Sequence, residues 1–166
     1  MTASLTVDVT VSAGAWQRLL PDAGAVARTA AEAAWRSLGA TGAGGAAEVS
    51  ILLADDETVQ ALNRRHRDVD RPTNVLSFAI GAAPGGPLPR MLGDVVLADG
   101  VVVREAVAQG KSVSAHLSHL VVHGVLHLLG YDHEADPEAE TMEALEVRTL
   151  AGLGIADPYR CREAAE

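Results

Sequence analysis

Leu5, Val7, Val9 and Val11 alternate with polar residues, the period-two pattern of a strand that buries one side. From about Asp22 to Leu38 the apolar positions follow a helical period, which Gly39 ends before the flexible ATGAGG connection. Val49, Ile51 and Leu53 alternate again, predicting a second strand over EVSILLA, and Asp55, Asp56 and Glu57 suit the amino end of a helix running to about Arg65. Pro72 stops helical continuation. NVLSFAI is β-branched and aromatic enough for a third strand, and the turn-rich GAAPGGPLPR leads to a fourth near LGDVVLA. Helical patterns then cover about 100–109, 112–129 and 137–151, with Asp136 and Pro137 as cap and first helical position. Strands early and helices late predict an α+β fold, with helices packed on a small, mostly four-stranded sheet.

The chain has 166 residues, the size of one domain at about 150 residues each, so 1–166 is expected to form a single unit. With 48% hydrophobic residues it has material for a core. Cys161 is the only cysteine, which excludes a disulfide framework and any CxxC metal or redox site. Residues 1–12 alternate rather than run apolar, and no stretch approaches a membrane span of roughly 18 residues. These features predict a soluble protein in a reducing cytoplasm with no membrane partner. The net charge of −9 is uneven: residues 132–166 carry ten acids against three bases, whereas Arg64, Arg65, Arg67 and Arg71 cluster within eight residues. A local basic patch can coexist with an acidic whole, so a short anionic substrate fits better than long duplex nucleic acid. At 3% aromatic content, a stacking platform for several bases is not expected.

Five of the six histidines lie in HLSHLVVHGVLHLLGYDH, residues 116–133. On a helix, His116, His119, His123 and His127 fall within roughly 80° of one face. One such histidine is ordinarily a core residue, but a row of neutral imidazoles leaves many ring nitrogens to satisfy, and a divalent cation satisfies three at once. His123 and His127 are one turn apart and can converge on one ion; Gly130 allows the helix to stop and the chain to reverse, returning His133 as third ligand. The pattern HxxxHxxGxxH has the spacing of the metzincin zinc proteases, HExxHxxGxxH, with Gly124 where those peptidases carry their general base. Three nitrogens on a tetrahedral ion leave a fourth position for water, which points to hydrolysis.

HGVLHLLGYDH at 123–133 resembles the signature of the YbeY family of bacterial metal-dependent endoribonucleases. NRRHRDVDRPTNVLSF at 63–78 resembles that family's N-x-x-aromatic-R-x-x-D-x-P-T-D-V-L-S-F block, and LGDVV at 92–96 and DPY at 157–159 also fit. His66 stands where an aromatic is usual, and Asn74 where aspartate is usual. The resemblance implies one zinc ion on His123, His127 and His133, with Arg67 as the important arginine. It implies cleavage of single-stranded RNA in ribosomal RNA maturation, at the 16S 3′ end, and in ribosome quality control. A small-subunit ribosomal protein and an assembly GTPase would be its partners. Arg67 suits the chemistry, because a planar guanidinium can hold two nonbridging phosphate oxygens. Ser77 is a candidate substrate contact, His119 a candidate for supporting a ligand histidine or touching substrate, Asp132 a candidate for orienting a ligand histidine or stabilising the turn, and His116 and Met142 are read as structural. Two other readings stand beside this one: a zinc hydrolase on a non-nucleic substrate, weakened by Gly124, and a non-catalytic ribosome assembly factor with a structural metal.

Overall fold

The structure is a computed structural model that describes residues 4–12, 14–38, 46–80, 90–131 and 134–159. Its strands are β1 (Leu5–Val11), β2 (Ala47–Ala54), β3 (Val75–Ala79) and β4 (Arg90–Ala98); its helices are α1 (Gly14–Leu19), α2 (Ala23–Ser37), α3 (Asp56–Arg67), α4 (Asp99–Ala108), α5 (Val113–Leu128) and α6 (Asp136–Gly152). One mixed sheet has the order β1-β2-β4-β3. The first three neighbours run parallel, and β3 pairs antiparallel with β4 at the edge. Parallel neighbours need a long crossover, which α2 supplies between β1 and β2. The fold is α+β, as the pattern predicts.

Alternation divides the core between the two sheet faces. Val49, Ile51 and Leu53 of β2 and Val95 and Leu97 of β4 pack with α2 and α5 in the main cluster. Ala54, Leu76, Val96 and Ala98 point the other way and meet Val59 of α3. α5 is therefore held flat against the sheet, and α3 lies beyond the opposite face.

Three differences from the sequence expectation have local causes. α1 is too short for a helical period to register; it is fixed by Trp16, fully buried, whose indole N–H donates to the Ala54 carbonyl at 2.8 Å. α3 extends past Arg65 to Arg67, because Asp68 adopts a left-handed conformation (φ 56°) and returns its N–H to the Asn63 carbonyl. β4 begins at Arg90, whose N–H reaches the Ala46 carbonyl at 2.9 Å, so the ladder to β2 starts two residues earlier than expected.

Candidate metal centre

α5 starts at Ser112, whose hydroxyl accepts the Ala115 N–H at 3.0 Å. Leu117, Leu120, Val121, Val125 and Leu126 anchor it in the core, which leaves His119, His123 and His127 along a partly exposed edge. At its end Gly130 takes φ 101°, its N–H bonds the His127 carbonyl and the Tyr131 N–H bonds the Leu126 carbonyl, both at 3.1 Å. This is the Schellman closure that a glycine three residues after His127 allows. The turn brings the Tyr131 carbonyl back over the helix, where it accepts the Nδ1–H of His127 at 2.8 Å.

His123 is oriented by a residue from α6. Its Nδ1 lies 2.5 Å from Oε1 of Glu146, a side chain with no solvent exposure. Glu146 Oε2 also accepts from His119 Nε2 at 3.1 Å and from the Tyr159 hydroxyl. Burial would push the Glu146 carboxyl up; the hydrogen bonds from His119, His123 and Tyr159 outweigh it and bring it down to about 2. It is a carboxylate at neutral pH, so His123 must donate from Nδ1.

A carbonyl and a carboxylate can only accept. In the neutral state both His123 and His127 therefore keep the lone pair on Nε2, the atom that ligates a cation. Their rings are 5.8 Å apart and 27° from parallel, and both line one cleft of about 620 Å³. Histidine ligands of Zn²⁺ give their second nitrogen to such acceptors, so these two residues fit that ion by the chemistry of their donors. His133, expected as third ligand, and Asp132 lie outside the described residues. Among the described residues no group of three His, Cys, Asp or Glu side chains is arranged to hold a metal ion.

The cleft also collects Asn63, Arg67, Arg71, Asn74, Ser77 and Glu105. Asn63 is buried, and its amide donates to the Arg71 carbonyl at 2.9 Å, tying the loop after α3 to the helix and placing Arg67 and Arg71 at the cleft. Arg67 donates from Nη2 to the Ser77 carbonyl at 3.1 Å, with its guanidinium carbon 5.7 Å from the centre of the Phe78 ring. His66 packs on the same ring at 5.1 Å, so an imidazole does the packing expected of an aromatic there. Arg64 and Arg65 are exposed and do not line the cleft. Ser77 lines it but sends its hydroxyl to the Gly124 carbonyl at 3.4 Å. His119 does not line it: the ring turns to Glu146 and Tyr159. His116 is 3% exposed and Met142 1%.

Gly124 is where α5 touches the sheet. A Cβ there would sit 2.8 Å from Val95 Cγ1 and 3.1 Å from Ser77 Oγ. The position that carries a general base in HExxH peptidases is here filled by the strands, so no glutamate fits.

The sequence pattern assigns no role to Glu146, and it marks Tyr159 only as part of the DPY segment. Glu146 was legible in principle, since Met142, Glu146, Thr149 and Leu150 recur at helical spacing and form the buried face of α6. A carboxylate on such a face needs partners, and the histidines of α5 were available. Tyr159 depends on the Asp157 side chain accepting its N–H at 2.8 Å, a turn that aims the phenol at Glu146.

Paired imidazoles and a guanidinium facing one cleft on an α+β scaffold define a domain furnished for polar, hydrolase-type chemistry. The model of the family described as Endoribonuclease YbeY matches residues 20–154, and the chain belongs to that family. It is 53% identical over 155 residues to the Endoribonuclease YbeY of Azorhizobium caulinodans, covering 93% of this chain and 96% of that protein. It is likewise 53% identical over 167 residues to the Endoribonuclease YbeY of Paramagnetospirillum magneticum, covering 96% and 98%. The solution structure of TM1509 from Thermotoga maritima shares the fold, with a TM-score of 0.57 at 21% identity over 96% of this chain and 93% of that one. Among the described residues no helix is long and apolar enough to cross a membrane.

Proposed function

We propose that the chain is a single-strand-specific, metal-dependent endoribonuclease that matures ribosomal RNA at the 16S 3′ end and takes part in ribosome quality control in the cytoplasm. Its zinc would be held by His123, His127 and His133. A small-subunit ribosomal protein and an assembly GTPase would be its partners. The observation that carries this reading is the anchoring of both Nδ1 protons, His123 to Glu146 and His127 to the Tyr131 carbonyl, beside Arg67 in one cleft.

A bound Zn²⁺ would polarise a phosphoryl oxygen and lower the pKa of water to about 7. The chain's own residues do the rest. Glu146 and the Tyr131 carbonyl fix the tautomer and direction of the two rings, so no reorganisation is needed when substrate arrives. Arg67 is held on one side by the Ser77 carbonyl and by the Phe78 face, and its other N–H groups can take nonbridging oxygens as charge builds on them. Arg71 adds a second positive group to the same cleft. Water or the substrate 2′-hydroxyl serves as nucleophile; a 2′,3′-cyclic phosphate on the upstream product would assign it to the latter, and a 5′-hydroxyl on the downstream product would rule out water attack with 5′-phosphate formation.

The test pairs metal analysis of protein purified without added ions with cleavage of single-stranded RNA, with and without chelator. Stoichiometric zinc, chelator-sensitive cleavage and loss of cleavage in His123→Ala are expected. Full cleavage by metal-free protein would overturn the metal role. If metal removal unfolds the domain while Arg67→Ala leaves RNA processing intact, the assembly-factor reading replaces this one.

A further inference from the structure

The same cleft contains a carboxylate that the chemistry above does not use. Glu105, on α4, lines the cleft with its side chain 34% exposed. Two donors converge on one of its oxygens: Asn74 Nδ2 at 2.9 Å and His116 Nε2 at 2.9 Å both meet Oε1. Each donor is itself oriented. Asn74 Oδ1 accepts the Val75 N–H at 2.7 Å, which turns the amide nitrogen toward Glu105. His116 is buried on α5, and desolvation lowers its pKa despite the opposing pull of Glu105, so the ring is neutral and donates from Nε2. Its Nδ1 has no partner among the described residues, as expected for the bare acceptor of that tautomer. Among the described residues nothing donates to Glu105 Oε2.

A carboxylate fixed in this way in a cleft that also holds Arg67 and Arg71 works against a polyanion unless it meets a donor. His116 and His123 are seven residues apart on α5, about 10 Å along the axis at 1.5 Å per residue. Glu105 is tied to His116, two turns of α5 before His123, so it meets the shared cleft at a different level of that helix. On the endoribonuclease reading, a strand cut beside His123 would carry its neighbouring nucleotide through the rest of the same cleft, which Glu105 also lines. We propose that Glu105 is a specificity residue: Oε2 accepts a hydrogen bond from a donor on that neighbouring nucleotide, an exocyclic amino group of the base or a ribose hydroxyl. Carboxylates read cytosine amino groups and ribose hydroxyls in this manner elsewhere. Asn74 and His116 act through Glu105 as positioning residues. The inference rests on the endoribonuclease reading given above.

The test uses the full chain and single-stranded oligoribonucleotides of one length. The cut is mapped first, and the flanking nucleotides are then varied between cytidine and uridine and between ribose and 2′-deoxyribose. Glu105→Gln keeps an oxygen for Asn74 and His116 but turns an N–H₂ toward the cleft. If a base is read, wild type prefers cytidine over uridine at one flanking position by roughly tenfold in kcat/KM, and Glu105→Gln reverses the preference. If the ribose is read, a single 2′-deoxy substitution costs wild type roughly tenfold, and Glu105→Ala no longer senses it. The proposal is overturned if both variants melt like wild type and keep its ratios, or if Glu105→Gln stops cleavage of every substrate alike with KM unchanged. A wild-type protein that cuts none of the RNAs overturns the endoribonuclease reading beneath it, a result distinct from unchanged ratios.

Discussion

Replacing Glu146 by glutamine tests whether a buried carboxylate aims His123. The side chain is fully buried and accepts from His123, His119 and Tyr159. An amide has one acceptor oxygen, so its NH₂ must face at least one of those donors. Hydrogen bonds to a charged group contribute about 1.5–3 kcal/mol, and the orphaned donor adds its own desolvation cost. A loss of about 3 kcal/mol follows, which for a domain of this length lowers Tm by roughly 10 °C. Zinc affinity should fall about 10- to 100-fold, as for other residues that orient a ligand histidine. Thermal melting of metal-free protein reads the first effect, and Zn²⁺ competition against a chromophoric chelator reads the second. Tyr159→Phe is the control: it removes one donor without touching His123, so it should cost about 1 kcal/mol and leave zinc affinity within a few-fold of wild type. If metal-free Glu146→Gln melts with wild type and binds zinc equally well, the carboxylate does not orient His123 and the reasoning fails.

Arg67→Ala should lower kcat for RNA cleavage roughly 100-fold, as for loss of one preorganised donor, with Tm nearly unchanged because the side chain is exposed. Arg67→Lys should recover little, since an ammonium cannot hold two oxygens in a plane. Gly124→Ala should destabilise by about 1–3 kcal/mol in urea denaturation, although alanine is the better helix former, because its Cβ would press on Val95; a stabilised variant would contradict the close approach. Asp55 caps α3 by accepting the Thr58 N–H at 2.8 Å, and that hydrogen bond holds its carboxyl below the ordinary 3.8. Its contribution is therefore present above that value and lost as pH falls through the lower folded one. Asp55→Ala should cost about 1 kcal/mol at pH 7, and the gap in Tm to wild type should close on acidification below about pH 3.8; a gap constant with pH would count against the cap.

The sheet was legible because its strands alternate on a half-buried plan: Val49, Ile51 and Leu53 face the main core, and the period alone reveals it. α5 and its end were legible for a related reason, since Gly130 reports a backbone conformation that is local in sequence. The partners of Glu105, Glu146 and Tyr159 were not, because they depend on which oxygen meets which nitrogen across elements. Those partners lie 11, 23 and 13 residues away in the chain. An acidic α6 looks solvated until the sheet and α5 show that one of its carboxylates is trapped. The histidine row likewise conceals a division of labour. His123 and His127 face the cleft, His119 braces Glu146, and His116 braces Glu105.

That division explains why the spacing shared with metzincins does not carry their chemistry. A zinc peptidase needs the residue after its first histidine to reach toward the metal, and so needs room on that side of the helix. Here that side is pressed onto β3 and β4, with Val95 and Ser77 in the way. Close packing at Gly124 brings the Ser77 carbonyl, and hence Arg67, beside the two imidazoles. The contact that excludes a glutamate base is thus the one that assembles a cleft suited to a phosphodiester. Enlarging Gly124 should therefore disturb the placement of Arg67 before it creates any hydrolysis of peptide bonds.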